Sequence, residues 1–252
     1  DRAVKVEVLT RSLASLMRRA QPDHILVSCN TLSVLLPDCV VAQECGVIGI
    51  VDASVERMLD GMRRHPERGL IILGTPTTAA SGVYPARLAA EGVDMSRVGV
   101  EPSASLHRLI EEDASSAASR AEIAARLTAG RARLPAALRS SAMVSLNCTH
   151  YGYATPIFLA LMAKEAPEPV LLNPNAAFAE AALEGVNPGQ GTPPAVEVIS
   201  QAELPRHQRE ALAALIEVDA PELAEALLNY SHEPGLFEWR DLWSSQRPAS
   251  SV

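Results

Sequence analysis

The sequence predicts an α/β protein of two pseudo-symmetric lobes, each a mostly parallel sheet flanked by helices. Short unbroken apolar runs read as strands buried on both faces: HILVS at 24–28, VIGIV at 47–51, LIIL at 70–73 and AMVSL at 142–146. Segments of helical period alternate with these runs, the order expected of parallel strands joined by crossover helices. The element order also recurs. Cys29-Asn30-Thr31 ends one run and Cys148-Thr149-His150 ends another.

The elements follow in turn. Apolar residues at Val6, Leu9, Leu13, Leu16 and Met17 predict a helix over 3–20. After the strand at 24–28, residues 31–45 read as a helix with a break or kink at Pro37. The strand VIGIV leads to Ser54, expected to cap a helix over 55–64 that Pro66 ends. LIIL runs into a loop rich in Thr, Ser and Gly, then a helix near 83–91 and a strand at 97–100. Residues 103–139, rich in Ala and Arg, read as mostly helical. Beyond AMVSL come a helix over 152–165, a strand at 170–172 and a helix over 175–184. VNPGQGTPP at 186–194 reads as a loop, VEVI at 196–199 as the last strand, and 207–217 and 221–229 as helices. The tail that holds both tryptophans has no clear assignment.

Matching the two halves gives a discontinuous first lobe, 1–62 with 175–252, and a second lobe, 63–174. The second lobe opens on LIIL and its Thr-rich loop, and the first lobe has no counterpart ahead of Asp1. The repeat therefore predicts a strand and polar loop upstream of residue 1.

Composition narrows the function. A net charge of −8 and the absence of a dense basic patch argue against nucleic acid as a partner. Arg57, Arg63, Arg64 and Arg68 are interspersed with Glu56, Asp60 and Glu67, as on a solvated helix face. No apolar run approaches the roughly 18 residues that span a bilayer, so no membrane partner is expected. The four cysteines have neither the CxxC spacing of a zinc site nor the density of a disulfide scaffold. A cytoplasmic location with free thiols is expected. Whether a second copy of the chain pairs with the first as a homodimer is left open.

Ligands of parallel sheets bind at the carboxyl ends of the strands, where both Cys29 and Cys148 fall. Each precedes a helical segment, whose free N–H groups are expected to lower the thiol pKa towards neutrality and to seat a carboxylate. Two thiols on either side of one carbon suit inversion. One thiolate removes a proton from one face, and the other thiol delivers a proton to the opposite face. Cys39 and Cys45 lack this setting and read as structural. Cys29, Cys148 and His150 lack a fourth ligand, so no metal is expected.

VSCNT (27–31), LGTPTTAASGVY (73–84), LHRLIEED (106–113) and NCTHYGY (147–153) resemble motifs of the aspartate/glutamate racemases, with glutamate racemase the nearest in pattern. The resemblance covers about residues 3–184. It implies a cofactor-independent racemase acting on a small acidic amino acid, glutamate in the first place, with Cys29 and Cys148 as the acid/base pair. It implies that Asn30, Thr31, Thr75, Thr78, Thr149 and His150 hold the substrate, and that Glu111 and His150 assist the second thiol. The chain departs from the pattern at Asn147, where glycine is usual, and at Gly152, where proline is usual. A loop with Asp and Ser and a Tyr-containing loop have no counterpart. Two other readings stand beside racemisation: a ligand-binding homologue with impaired catalysis, and a one-cysteine decarboxylase or isomerase of a small diacid. A dithiol redox protein fits less well, because sulfurs with substrate between them stand too far apart for a disulfide.

Overall fold

Among the described residues, eight strands run in the order β1 (Leu26–Val27), β2 (Ile48–Gly49), β3 (Leu70–Gly74), β4 (Val98–Pro102), β5 (Met143–Asn147), β6 (Leu171–Leu172), β7 (Ile199–Ser200) and β8 (Ser231–His232). The computed structural model describes residues 1–184 and 195–244. The loop expected at 186–194 and the last eight residues lie outside the described residues. By contacts, one unit comprises Asp1–Leu26, Leu35–Ile48 and the described part of Asn187–Val252; the other comprises Val27–Val34 and Gly49–Val186. This grouping by neighbours is a different division from the grouping by repeat, and it places both Cys29 and Cys148 in the second unit.

The second unit is built on a four-stranded parallel sheet in the order β4-β3-β5-β6. Its faces follow from strand parity. Ile71 pairs with Val144, and Val144 with Leu171, so these side chains share one face. Helix Ala117–Ala132 covers that face so closely that a Cβ at Gly130 would sit 2.6 Å from Ile71 Cγ2. Ile72, Ser145 and Leu172 share the other face, where Gly61 of helix Val51–Arg64 lies against Leu172. Both faces are therefore covered, which is why LIIL is an unbroken apolar run and MVSL is interrupted only by the buried Ser145. Leu70, Ile71, Ile72, Leu73, Met143, Val144 and Leu146 are buried, each contributing about 1.5–3 kcal/mol of apolar burial. Glu101 is the exception on β4; it is buried and held by Arg126 and Arg133, each at 2.7 Å.

The first unit carries helix Arg2–Ala20, whose N-terminus is capped by the Asp1 carboxylate accepting from the Ala3 N–H at 2.8 Å. Buried Leu9 and Leu13 face its interior, and Thr10 reaches the buried Cys39 sulfur at 3.3 Å. Short strands β7 and β8 pair in parallel, Ile199 with Ser231 and Ser200 with His232. Helices Arg206–Ile216 and Pro221–Leu228 pack against one another.

Local differences from the sequence reading have plain causes. The expected helix 31–45 is three short pieces, Asn30–Ser33, Leu36–Asp38 and Val40–Glu44, with Pro37 inside the middle one-turn piece. Ser54 is not a cap. The helix starts at Val51, and Ser54 is a buried interior residue whose hydroxyl donates to the Ile50 carbonyl at 2.9 Å. VIGIV is correspondingly strand only at Ile48–Gly49, because the helix has already begun at its last residue. Residues 103–139 hold two helices, Leu106–Asp113 and Ala117–Ala132, separated at Ser115 and Ser116. Among the described residues, no helix is long and apolar enough to cross a membrane.

Candidate active site

The sheet register sets out the site. Gly74 pairs with Pro102 on one side and Asn147 on the other, so Thr75, Ser103 and Cys148 emerge side by side at the carboxyl edge. Thr75 caps helix Pro76–Ala80: its hydroxyl accepts from the Thr78 N–H at 3.3 Å, and Pro76 at the first helical position has no N–H to satisfy. The Thr75 and Thr78 hydroxyls stand 3.0 Å apart, and Thr31 Oγ1 joins them at 2.8 Å from Thr75 and 3.4 Å from Thr78. This cluster of three hydroxyls ties the turn that carries Cys29 to the end of β3. Thr75 thus serves as both cap and tether.

Cys29 is half-buried and extended, with φ −77° and ψ 115°, and its carbonyl accepts from the Ser33 N–H at 2.8 Å. The helix behind it has only four residues, Asn30–Ser33. A single turn aligns few peptide dipoles, so the positive potential expected at this thiol is small. Asn30 is buried, and its Oδ1 accepts from the Tyr84 hydroxyl.

Cys148 is 8% exposed and opens the two-turn 3₁₀ segment Thr149–Ala154. The expected lowering of its pKa does not hold: the thiol is pushed up to about 11, chiefly by burial. The negative charges of Cys29 and Glu111 add to the rise, and the backbone N–H groups of His150 and Tyr151 oppose it without prevailing. Burial penalises the thiolate more than two N–H donors reward it. The Cys148 thiol is therefore protonated at neutral pH.

His150 lies between Cys148 and Glu111. Its Nε2 is 2.8 Å from Glu111 Oε1 and its Nδ1 is 3.7 Å from Cys148 Sγ. With Nε2–H donated to the carboxylate, Nδ1 of the neutral ring presents a lone pair to the thiol. Glu111 is held by helix Leu106–Asp113, which is anchored through buried Leu106 and Ile110, while Glu112 and Asp113 face solvent.

Sequence reasoning passed over His107, one helical turn before Glu111. Its ring meets that of His150 edge-on at 6.4 Å, and its buried Nδ1 has no partner among the described residues. Burial lowers its pKa, with the Glu111 charge opposing that shift. The i, i+4 spacing of His107 and Glu111 was the available signal. Asn175 was also missed; its Nδ2 donates to the Thr149 carbonyl at 3.1 Å. A Cβ at Gly152 would stand 3.0 Å from Asn175 Nδ2 and 3.1 Å from Asn173 Nδ2, so the glycine and the two amides form one close-packed group. Among the described residues, no cluster of three His, Cys, Asp or Glu is arranged to hold a metal ion.

The family model described as Asp/Glu/Hydantoin racemase matches residues 1–181. The chain belongs to that family. Membership makes it an isomerase of the racemase type, and the match spans every residue of the cluster just described. Among solved structures, glutamate racemase from Francisella tularensis subsp. tularensis SCHU S4, in complex with D-glutamate, is similar with a TM-score of 0.65 and 18% identity, covering 92% of this chain and 79% of that one. Glutamate racemase from Aquifex pyrophilus is similar at 0.57 and 17%, covering 92% and 80%. Escherichia coli glutamate racemase, in complex with L-glutamate and the activator UDP-MurNAc-ala, is similar at 0.58 and 19%, covering 86% and 79%. At these identities the likeness is one of fold. No curated protein sequence matches the chain.

Proposed function

We propose that this racemase inverts the α-carbon of an acidic amino acid, glutamate in the first instance, without a cofactor, by means of two thiols. Cys29, as thiolate, removes the α-proton from one face, breaking the C–H bond and leaving its electron pair delocalised into the substrate carboxylate. The Cys148 thiol gives its proton to the opposite face, forming the new C–H bond and becoming the thiolate. The reverse direction exchanges the roles. A Cys148 thiol with a pKa near 11 is a ready donor and a poor base. Its use as a base is the task of His150 Nδ1, which accepts the thiol proton while Glu111 stabilises the imidazolium that results. Thr31, Thr75 and Thr78, with Asn30, Thr149 and His150, supply the polar groups that would hold the ends of the substrate.

The observation that carries this reading is the Cys148–His150–Glu111 chain in one compact unit with a second cysteine whose charge acts on it. The test is turnover of each enantiomer by Cys29→Ser and Cys148→Ser. Each substitution should lower turnover by about 10²–10⁴-fold, the usual weight of one acid or base. Retention of most activity in either variant would point instead to a one-thiol decarboxylase or isomerase. Glutamate binding by calorimetry with no turnover in the unmodified protein would point to a ligand-binding homologue, an outcome that the high Cys148 pKa and the departures at Asn147 and Gly152 would then explain.

A further inference from the structure

One buried phenol is bonded to the neighbour of one thiol and lies near the neighbour of the other. Tyr84 is 1% exposed and lies in the first turn of helix Val83–Ala90. Its hydroxyl donates to Asn30 Oδ1, and Asn30 follows Cys29. The side chains of Ser54 and Asn147 favour the ionised phenol, and Asn147 precedes Cys148. Burial outweighs them and holds the phenol above its usual range, so it stays a donor. The Cys29 charge acts on it in the same direction.

The carboxamides around this hydroxyl are not explained by packing. Asn30 and Asn147 are both buried. Among the described residues, Asn30 Nδ2 and both polar atoms of Asn147 lack a partner of hydrogen-bond geometry, although the Asn147 amide is near enough to act on the phenol. Leaving such a group unpaired costs about 1–3 kcal/mol, which an apolar side chain at either position would avoid.

We infer that Tyr84 is a positioning residue: its hydroxyl, bonded to Asn30 and set against Asn147, fixes the Cys29 turn relative to the strand end that leads into Cys148, and so sets the spacing of the two sulfurs. The consequence for turnover rests on the two-thiol reading. The consequence for thiol reactivity rests on the geometry alone.

Tyr84→Phe keeps the ring and removes the hydroxyl. In the full chain it should lower kcat by about tenfold or more and change KM by less than about threefold, because misplaced catalytic groups penalise the chemical step. Its Tm should stay near that of the unmodified protein. The reading that needs no substrate is the rate at which iodoacetamide alkylates Cys29 and Cys148, resolved by peptide mass spectrometry. Both rates should change by about threefold or more. Rates at both sites within about twofold of the unmodified protein would overturn the inference, whatever turnover does. Should Tyr84→Phe not fold, Asn30→Ala removes the same bond from its acceptor side, with the same expected change and the same overturning result. A parent protein that does not racemise at all would sink the two-thiol proposal and leave the alkylation rates to decide the role of Tyr84.

Discussion

Burial of the Cys148 thiol has a consequence that equilibrium unfolding can read. The folded protein holds this proton more tightly than the unfolded chain, with a pKa near 11 against an ordinary value of 9.0. Between those values the native state binds more protons than the unfolded state, so stability falls as pH rises. The stabilising term is fully present below pH 9 and is lost progressively towards pH 11. At about 1.36 kcal/mol per pKa unit, the whole effect is about 3 kcal/mol, and about 2 kcal/mol of it is gone by about pH 10.5. Cys148→Ser replaces the thiol with a hydroxyl that does not titrate in this range. Urea unfolding of both proteins from about pH 7.5 to 10.5 isolates the effect, because the other titrating groups are common to both. The difference in unfolding free energy should be constant to about pH 8.5 and then shift in favour of the serine variant by about 2 kcal/mol. Parallel curves over the whole range would refute the claim that burial governs this thiol.

Further outcomes concern its surroundings. Glu111→Gln removes the charge from the 2.8 Å pair with His150; turnover should fall by about 10–10², while unfolding free energy moves by no more than about 1 kcal/mol, since the pair is partly exposed. Gly152→Ala brings a Cβ to 3.0 Å from Asn175 Nδ2; it should cost about 1–3 kcal/mol in urea unfolding and lower activity by displacing the Thr149 carbonyl. Glu101→Ala strips the buried carboxylate from Arg126 and Arg133; it should destabilise by about 1–2 kcal/mol, less than the loss of a fully buried pair because the two arginines left behind are partly exposed to water, a loss readable as a lower urea midpoint.

The sheet was legible in the sequence wherever burial on both faces left an unbroken apolar run. LIIL and AMVSL fall within or beside β3 and β5, and the strand predicted at 170–172 contains β6. VIGIV misled because an apolar residue at its end, Val51, is equally at home in the first turn of a helix, and periodicity does not separate the two over five residues. The positions of Cys29, Thr31, Thr75, Cys148 and His150 at strand ends could be read from the runs that precede them. What could not be read is what surrounds them. The pKa of Cys148 depends on how deeply tertiary packing buries it, whereas the local pattern announces only the helical N–H groups that it precedes. Tyr84, His107 and Asn175 act through partners distant in sequence, Asn30, His150 and Thr149, and only His107, four residues before Glu111, left a local trace.

The most direct test is appearance of deuterium at the α-carbon when the intact protein is incubated in heavy water with each enantiomer of glutamate and of aspartate. Two thiols on opposite faces predict that the product of inverted configuration carries solvent deuterium, and that both Cys29→Ser and Cys148→Ser abolish inversion. No deuterium from any of the four amino acids, or undiminished inversion with either serine variant, would contradict the account.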